Sequence, residues 1–181
     1  VLPGDVQVQT AIGAQINLLV GGATGTVQFW DGAQSVPNGV IDGGTGTWNG
    51  SNTNWTDING VFNGSWASDF AVFQGTAGDV TVVGTQAATG LQFVTNGYRL
   101  IGTGGLNLVN GSNGAFAVRV DPGATATINV GLSGSGQLAK LDTGTLVLNG
   151  ANSYTGGTLL NGGTLVVGNN TALGTGAVSA A

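Results

Sequence analysis

The chain has 181 residues; 36 are glycine, only 6 % are charged, and three cations face eight acids for a formal net charge of −5. Every acid is an aspartate, and Glu, His, Cys and Met are all absent. This composition excludes long helices and coiled coils, which need the missing helix-forming charged residues. Without His or Cys there is no ordinary transition-metal site, no His-based triad and no disulfide framework, and three cations are too few to neutralise a nucleic-acid backbone. Intrinsic disorder is also excluded, because 41 % of the residues are hydrophobic and spread from end to end. No apolar run is long enough to span a bilayer as a helix, and the absence of cysteine is compatible with a secreted protein.

In chain order, apolar residues alternate with polar or small ones in short bursts. Val6 and Val8 come first, then Ile16, Leu18 and Val20, then Val27 and Phe29. Val80 with Val82, Leu91 with Phe93, and Leu106 with Leu108 follow. The series continues through Phe116, Val118 and Val120, Ile128 and Val130, Leu146 and Leu148, and Leu165 and Val167. Period two over three to six residues predicts short strands with one face turned to a core. Clusters such as Asn110-Gly111-Ser112-Asn113-Gly114 and Asn161-Gly162-Gly163 lie between the bursts and supply turn residues.

A longer repeat is superimposed on this alternation. Leu108, Ile128, Leu148 and Val167 are separated by 20, 20 and 19 positions, and Gly144-Thr145-Leu146-Val147-Leu148 returns as Gly163-Thr164-Leu165-Val166-Val167. A repeat of this length is too short for a helix pair or a propeller blade and suits one coil of a β-solenoid. A β-sandwich also has short strands and glycine turns, but it does not return near-copies at a fixed interval. About nine coils are expected in this length, a rod of roughly 40 Å at the spacing of neighbouring strands. Threonine is expected at outward strand positions, and charge is expected to be scarce because equivalent positions stack directly.

Three of the four tryptophans, Trp48, Trp55 and Trp66, fall close together, with Phe62, Phe70 and Phe73 nearby. They are candidate contact aromatics for sugar rings or a partner; the alternative is that they fill a wide, irregular part of the solenoid. Paired carboxylates for glycoside hydrolysis would come from Asp31, Asp42, Asp57, Asp69, Asp79 and Asp121. Most of these have a turn neighbour, as in Asp31-Gly32, Asp42-Gly43 and Asp121-Pro122, which favours aspartates that bond their own backbone. Gly43-Gly44-Thr45-Gly46-Thr47-Trp48 begins like a calcium-binding nonapeptide, but Trp48 stands where the motif needs Asp. No catalytic, cofactor-binding or metal-binding residue is expected.

From Gly134 the chain reads Gly-Ser-Gly-Gln-Leu-Ala-Lys-Leu-Asp-Thr-Gly-Thr-Leu-Val-Leu-Asn-Gly-Ala-Asn-Ser-Tyr-Thr-Gly-Gly-Thr, ending at Thr158, with Asn161-Gly162-Gly163-Thr164-Leu165 beyond. This closely resembles the passenger-associated repeat of Gram-negative autotransporters, with Asp142-Thr143 in place of the usual lysine-to-glycine spacer. The block Thr47-Trp48-Asn49-Gly50, Asn54-Trp55-Thr56 and Phe70-Ala71-Val72-Phe73 resembles sequence that precedes such repeats. The resemblance implies an all-β, right-handed parallel β-helix displayed outside the outer membrane. Its coils are expected to hold about 20 residues each. It divides a single solenoid over 1–181 into less distinctive coils at 1–40, irregular tryptophan-containing coils at 41–133 and the repeat at 134–168. It implies a non-enzymatic adhesive or stem module on the surface of a Gram-negative bacterium, after removal of a signal peptide. No translocator barrel is recognisable in these residues, so the chain reads as a passenger fragment or a passenger-like protein. Lys140, the one available base for a serine, belongs to the repeat. Expected partners are host or neighbouring-cell surface molecules, or the chain itself stacking end to end into a filament through open strand edges. A polysaccharide-active enzyme is the remaining alternative.

Overall fold

A computed structural model describes residues 6–9, 17–20 and 27–181, with side chains from residue 27 onward. Two short strands come first, β1 (Val6–Gln9) and β2 (Asn17–Val20), paired antiparallel with Val6 opposite Val20. Ile16, grouped by the alternation with Leu18 and Val20, lies outside the described residues. From Val27 the chain winds as a solenoid, and no helix occurs among the described residues.

The first turns contain β3 (Val27–Trp30), β4 (Gly46–Trp48), β5 (Trp55–Thr56), β6 (Asn63–Gly64), β7 (Phe70–Phe73), β8 (Asp79–Val82) and β9 (Thr85–Ala88). The middle of the molecule contains β10 (Gly90–Phe93), β11 (Arg99–Ile101), β12 (Gly105–Leu108), β13 (Phe116–Val120), β14 (Thr125–Ile128) and β15 (Gly131–Gly134). The last turns contain β16 (Leu138–Leu141), β17 (Thr145–Leu148), β18 (Thr158–Leu160), β19 (Thr164–Val167) and β20 (Val178–Ala180). Strands β3, β7, β10, β13, β16, β18 and β20 stack in parallel on one face; β4, β8, β11, β14, β17 and β19 form the second; β9, β12 and β15 form the third. Beyond β15 the third side continues as single rung-to-rung bonds, Ser153 N–H to Leu132 O at 2.8 Å, Thr155 N–H to Gly134 O at 2.9 Å and Thr175 N–H to Tyr154 O at 3.0 Å.

Register along the first face gives the length of each coil. Val27 pairs with Phe70, Phe70 with Gly90, Gly90 with Ala117, Ala117 with Ala139, Ala139 with Leu159 and Leu159 with Ser179. Four of these six steps keep close to the repeat length read from the sequence. The step from Gly90 to Ala117 is longer, and the step from Val27 to Phe70 takes about two coils' worth of chain. The described residues from Val27 onward hold seven rungs on this face, whereas the nine expected coils were reckoned over all 181 residues. The segment between β3 and β7 and the turn around Asn110–Gly114 consume chain without adding a rung.

The core follows from the alternation. Leu91, Phe93, Phe116, Val118, Val120, Leu138, Ala126, Ile128, Leu146 and Leu148 are all buried and point into the coil. Stacked partners repeat their chemistry: Phe73 lies under Phe93 with ring centroids 4.9 Å apart and planes 12° from parallel, and Ala126, Leu146 and Leu165 follow one another on the second face. Outside, Thr125, Thr145 and Thr164 form the expected ladder of β-branched residues. Leu165 is half-buried and Val167 is 50 % exposed, since β19 is the outermost strand of its face.

The β3 edge of the first face is closed differently. There β5 pairs antiparallel with β3 (Phe29 opposite Thr56, Trp30 opposite Trp55) and β6 pairs antiparallel with β5. An antiparallel hairpin occupies the edge hydrogen bonds that another parallel coil would need, which protects the edge.

Corners bring backbones into close contact, and Gly144 shows how tightly. A Cβ there would collide with the carbonyl oxygens of Asp121, Val120 and Ala124, while its own N–H donates to Val120 O at 3.0 Å. Gly144→Ala is expected to destabilise the solenoid by about 2 kcal/mol or more, in the range of overpacking substitutions. Urea denaturation midpoints of the two proteins, with an unchanged slope, measure this.

Candidate functional site

The tryptophans singled out by sequence lie inside the solenoid, at the end closed by the β5–β6 hairpin. Trp48 and Trp55 are fully buried, Trp66 is 6 % exposed, and Trp30 joins them with no exposure. Trp48 meets Trp55 and Trp66 edge-to-face at centroid distances of 5.0 Å each, and Trp30 meets Trp55 at 5.1 Å. Phe73 lies against Trp30, Trp48 and Trp55 and carries the cluster on to Phe93 and Tyr98. Such edge-to-face pairs contribute beyond their buried area. Trp30 Nε1 donates to Gly44 O and Trp66 Nε1 to Ala87 O, each at 2.8 Å, so two indoles also pin the loops around them.

Polar groups anchor the inserted segments to the same end. Gln28 of β3 holds the chain after β6: its Nε2 donates to Ser65 O at 2.9 Å and its Oε1 accepts from Ala67 N–H at 2.6 Å. The buried Asp31 carboxylate accepts from Asp42 N–H and from Asn63 Nδ2, both at 2.8 Å. Tyr98 is fully buried. Its single hydroxyl proton is shared between Gln74 O at 2.6 Å and Thr76 O at 2.7 Å, and its oxygen accepts from Gly44 N–H at 3.2 Å. Gly43 has to be glycine here: its φ is +67°, and a Cβ would strike the Tyr98 hydroxyl and the Gln74 and Thr76 carbonyls.

The surface of this end is apolar where the interior is aromatic. Val36 is 64 % exposed, Val40 53 %, Val61 62 % and Phe62 63 %. The two loops that carry them are joined, because the Asn38 and Gly39 N–H groups both donate to Gly60 O. The candidate contact aromatics Trp48, Trp55 and Trp66 are buried, and Phe62, close to them in sequence, is the aromatic that faces solvent. It lies next to Val61, immediately before β6 in the β5–β6 connection. A shallow polar groove bounded by Ala33, Ser35, Thr47, Ser51, Asn52 and Asn54 lies on the same end.

The remaining candidates are held in structural bonds. Asp42 accepts from Asn38 Nδ2 at 2.7 Å, Asp57 from the Val61 and Phe62 N–H groups at 2.8 and 3.2 Å, and Asp69 from the Thr89 hydroxyl at 2.5 Å. Arg99 binds Asp79 of the rung below through both carboxylate oxygens, and this guanidinium holds the Asp79 carboxyl below its ordinary range. Arg119 makes the equivalent fork with Asp142 at 2.9 and 3.3 Å. Lys140, fully buried, donates from Nζ to Leu141 O at 2.7 Å, Asp142 O at 2.8 Å and Gly162 O at 3.3 Å. Burial pushes its ammonium group below the ordinary lysine range, with Asp142 opposing. Among the described residues, no group of three or more acidic, His or Cys side chains is placed to hold a metal ion.

Downstream, single side chains tie successive rungs together. Asn152 accepts from Leu132 N–H at 2.8 Å on one neighbouring rung and donates to Ala172 O at 2.6 Å on the other. The buried Tyr154 hydroxyl meets Thr158 Oγ1 at 2.6 Å, and Thr158 Oγ1 donates on to Leu173 O at 3.2 Å. These residues, with Lys140 and Gly144, are the recurring positions of the motif recognised in the sequence. Residues 138–167 match the passenger-associated-transport-repeat family. Over these residues the chain carries a passenger-associated transport repeat. It is 44 % identical over 188 residues to the adhesin BmaC autotransporter of Brucella suis biovar 1 (strain 1330), an alignment covering 94 % of this chain. The chain spans about 5 % of that relative's length. No solved structure matches significantly.

Two outcomes test this reading of the contacts between rungs. Asn152→Ala removes two rung-bridging bonds and strands Leu132 N–H and Ala172 O; it is expected to cost about 1–3 kcal/mol in chemical denaturation. Tyr98 concerns pH: burial, the largest cause, pushes its hydroxyl from 10.0 up to about 12. A raised folded value means that this stabilisation is complete below pH 10 and lost as pH rises from 10 to 12. Tyr98→Phe is expected to lower stability by about 1 kcal/mol at neutral pH and to flatten the alkaline decline, as read from denaturation midpoints on either side of that window.

Proposed function

We propose that this chain is a non-enzymatic segment of an adhesive passenger, a stiff β-solenoid stem held outside the outer membrane of a Gram-negative bacterium. Its activity is presentation and contact, and its partners are molecules of host or neighbouring cell surfaces. The single observation that carries the reading is the 44 % identity, across nearly the whole chain, to a relative named as an adhesin autotransporter. The distribution of polar groups supports it. All three cations are engaged, two with carboxylates and one with backbone carbonyls, and the candidate aspartates hold corners and adjacent rungs together. The exposed apolar set at the closed end, Val36, Val40, Val61 and Phe62, is the surface best suited to contact. End-to-end stacking into a filament has less support, because β5 already occupies the outer edge of β3.

Beads coated with the full chain, applied to mammalian cell monolayers and to bacterial lawns, test this function. The expected result is retention several-fold above beads carrying an inert protein, falling by at least half for the Val61→Ser/Phe62→Ser double variant. Retention equal to the inert control on both surfaces would leave only the stem role.

A further inference from the structure

Gln92 sits on the outer side of β10 between Val72 of β7 and Arg119 of β13. Asp121 is the residue immediately after β13, and its N–H donates to Phe93 O at 3.0 Å. Both side chains are buried, Gln92 completely and Asp121 to 4 % exposure. One bond joins them, from Gln92 Nε2 to Asp121 Oδ1 at 2.9 Å. The other two oxygens of the pair, Gln92 Oε1 and Asp121 Oδ2, are also buried and have no partner. Two acceptors cannot satisfy each other, and each unpaired buried polar atom is costly. A single proton on the carboxyl changes the count, because an acid matches an amide with one donor and one acceptor on each side.

We propose that in acid Asp121 is the neutral carboxylic acid and donates Oδ2–H to Gln92 Oε1, so that acid and amide close a two-bond ring that clips β10 to the corner after β13. The surrounding charges fit that state. Arg119, on β13, is committed to a two-oxygen fork with Asp142. Asp142, at the corner after β16, places a like charge near Asp121, and Lys140 on β16 spends its ammonium on backbone carbonyls. Burial, reinforced by Asp142 and opposed by the Gln92 bond and Arg119, raises the Asp121 carboxyl above the ordinary 3.8. The clip is therefore complete below the ordinary carboxyl range and is lost as pH rises through the raised value. It joins the two rungs between which the coil is longer than its neighbours, where the extra turn at Asn110–Gly114 adds backbone to be ordered. This joint tightens in acid, opposite to the usual response of a protein rich in salt-bridged carboxylates.

The test is a carbon-detected NMR titration of the full chain, with the Asp121 carboxyl assigned through bonds from its Cβ, alongside melting temperatures across pH for the wild type and Asp121→Asn. The expected carboxyl midpoint lies above 3.8. An asparagine amide donates where the acid does, so Asp121→Asn is expected to melt with the wild type at the acid end and above it once the wild-type carboxyl has ionised. A carboxyl titrating at or below 3.8 overturns the proposal on the wild type alone. A wild type more stable than Asp121→Asn at every pH overturns it as well.

Discussion

Stacking equivalent residues at the spacing of neighbouring strands, about 4.8 Å, constrains every other feature of this molecule. A position on one rung sees its counterpart above and below more closely than any other residue, so whatever occupies it must tolerate its own repetition. Leucine over leucine, phenylalanine over phenylalanine and threonine over threonine satisfy that condition; like charges do not. Asp79 beneath Arg99 and Arg119 beside Asp142 show the permitted form of charge, an opposite sign one rung away. The 6 % charged content thus follows from geometry rather than from an absence of interactions.

The same constraint explains the side chains that span rungs. Asn152 satisfies one backbone group on each neighbouring rung, and Lys140 gathers three carbonyls at a corner. In a solenoid each coil contacts only its neighbours, so cohesion must be renewed at every step, and over residues 138–167 the side chains of the repeat renew it. The passenger repeat is in this sense a rung-joining device. Its spacing is set by coil length, and its residue types by the backbone groups that corners leave unpaired.

Where the repeat weakens, the interior changes character. Between β3 and β7 the chain spends about two coils' length on one rung, and the coil is filled by four indoles in edge-to-face contact instead of stacked aliphatics. Large rings fill an irregular volume that Leu and Val columns cannot, and the Trp30 and Trp66 N–H groups fix the loops that make it irregular. The hairpin over β3 belongs to the same arrangement. It ends the parallel ladder with antiparallel pairing and leaves Val61 and Phe62 outward.

Period-two alternation and the coil-length recurrence were sufficient to establish the strands, the inward columns from Val80 to Leu148, the outward threonines and the solenoid itself, because each rests on local pattern repeated in register. The structural roles of Lys140 and Asn152 were legible only as motif positions, since partners such as Gly162, Leu132 and Ala172 lie a full coil away. Which aromatic residues are buried was decided by tertiary structure. Trp48, Trp55, Trp66 and Phe62 share a short, irregular stretch with no period to orient them, and the pairing of β4 with β8 and of β5 with β3 sends Trp48 and Trp55 inward while Phe62 faces out. The pairing of Gln92 with Asp121 was equally invisible in the sequence. They are separated by more than one regular coil, and the longer coil between their strands shifts the register that a uniform repeat predicts. Local pattern specifies what a coil is; the lengths of the insertions decide which residues meet across coils.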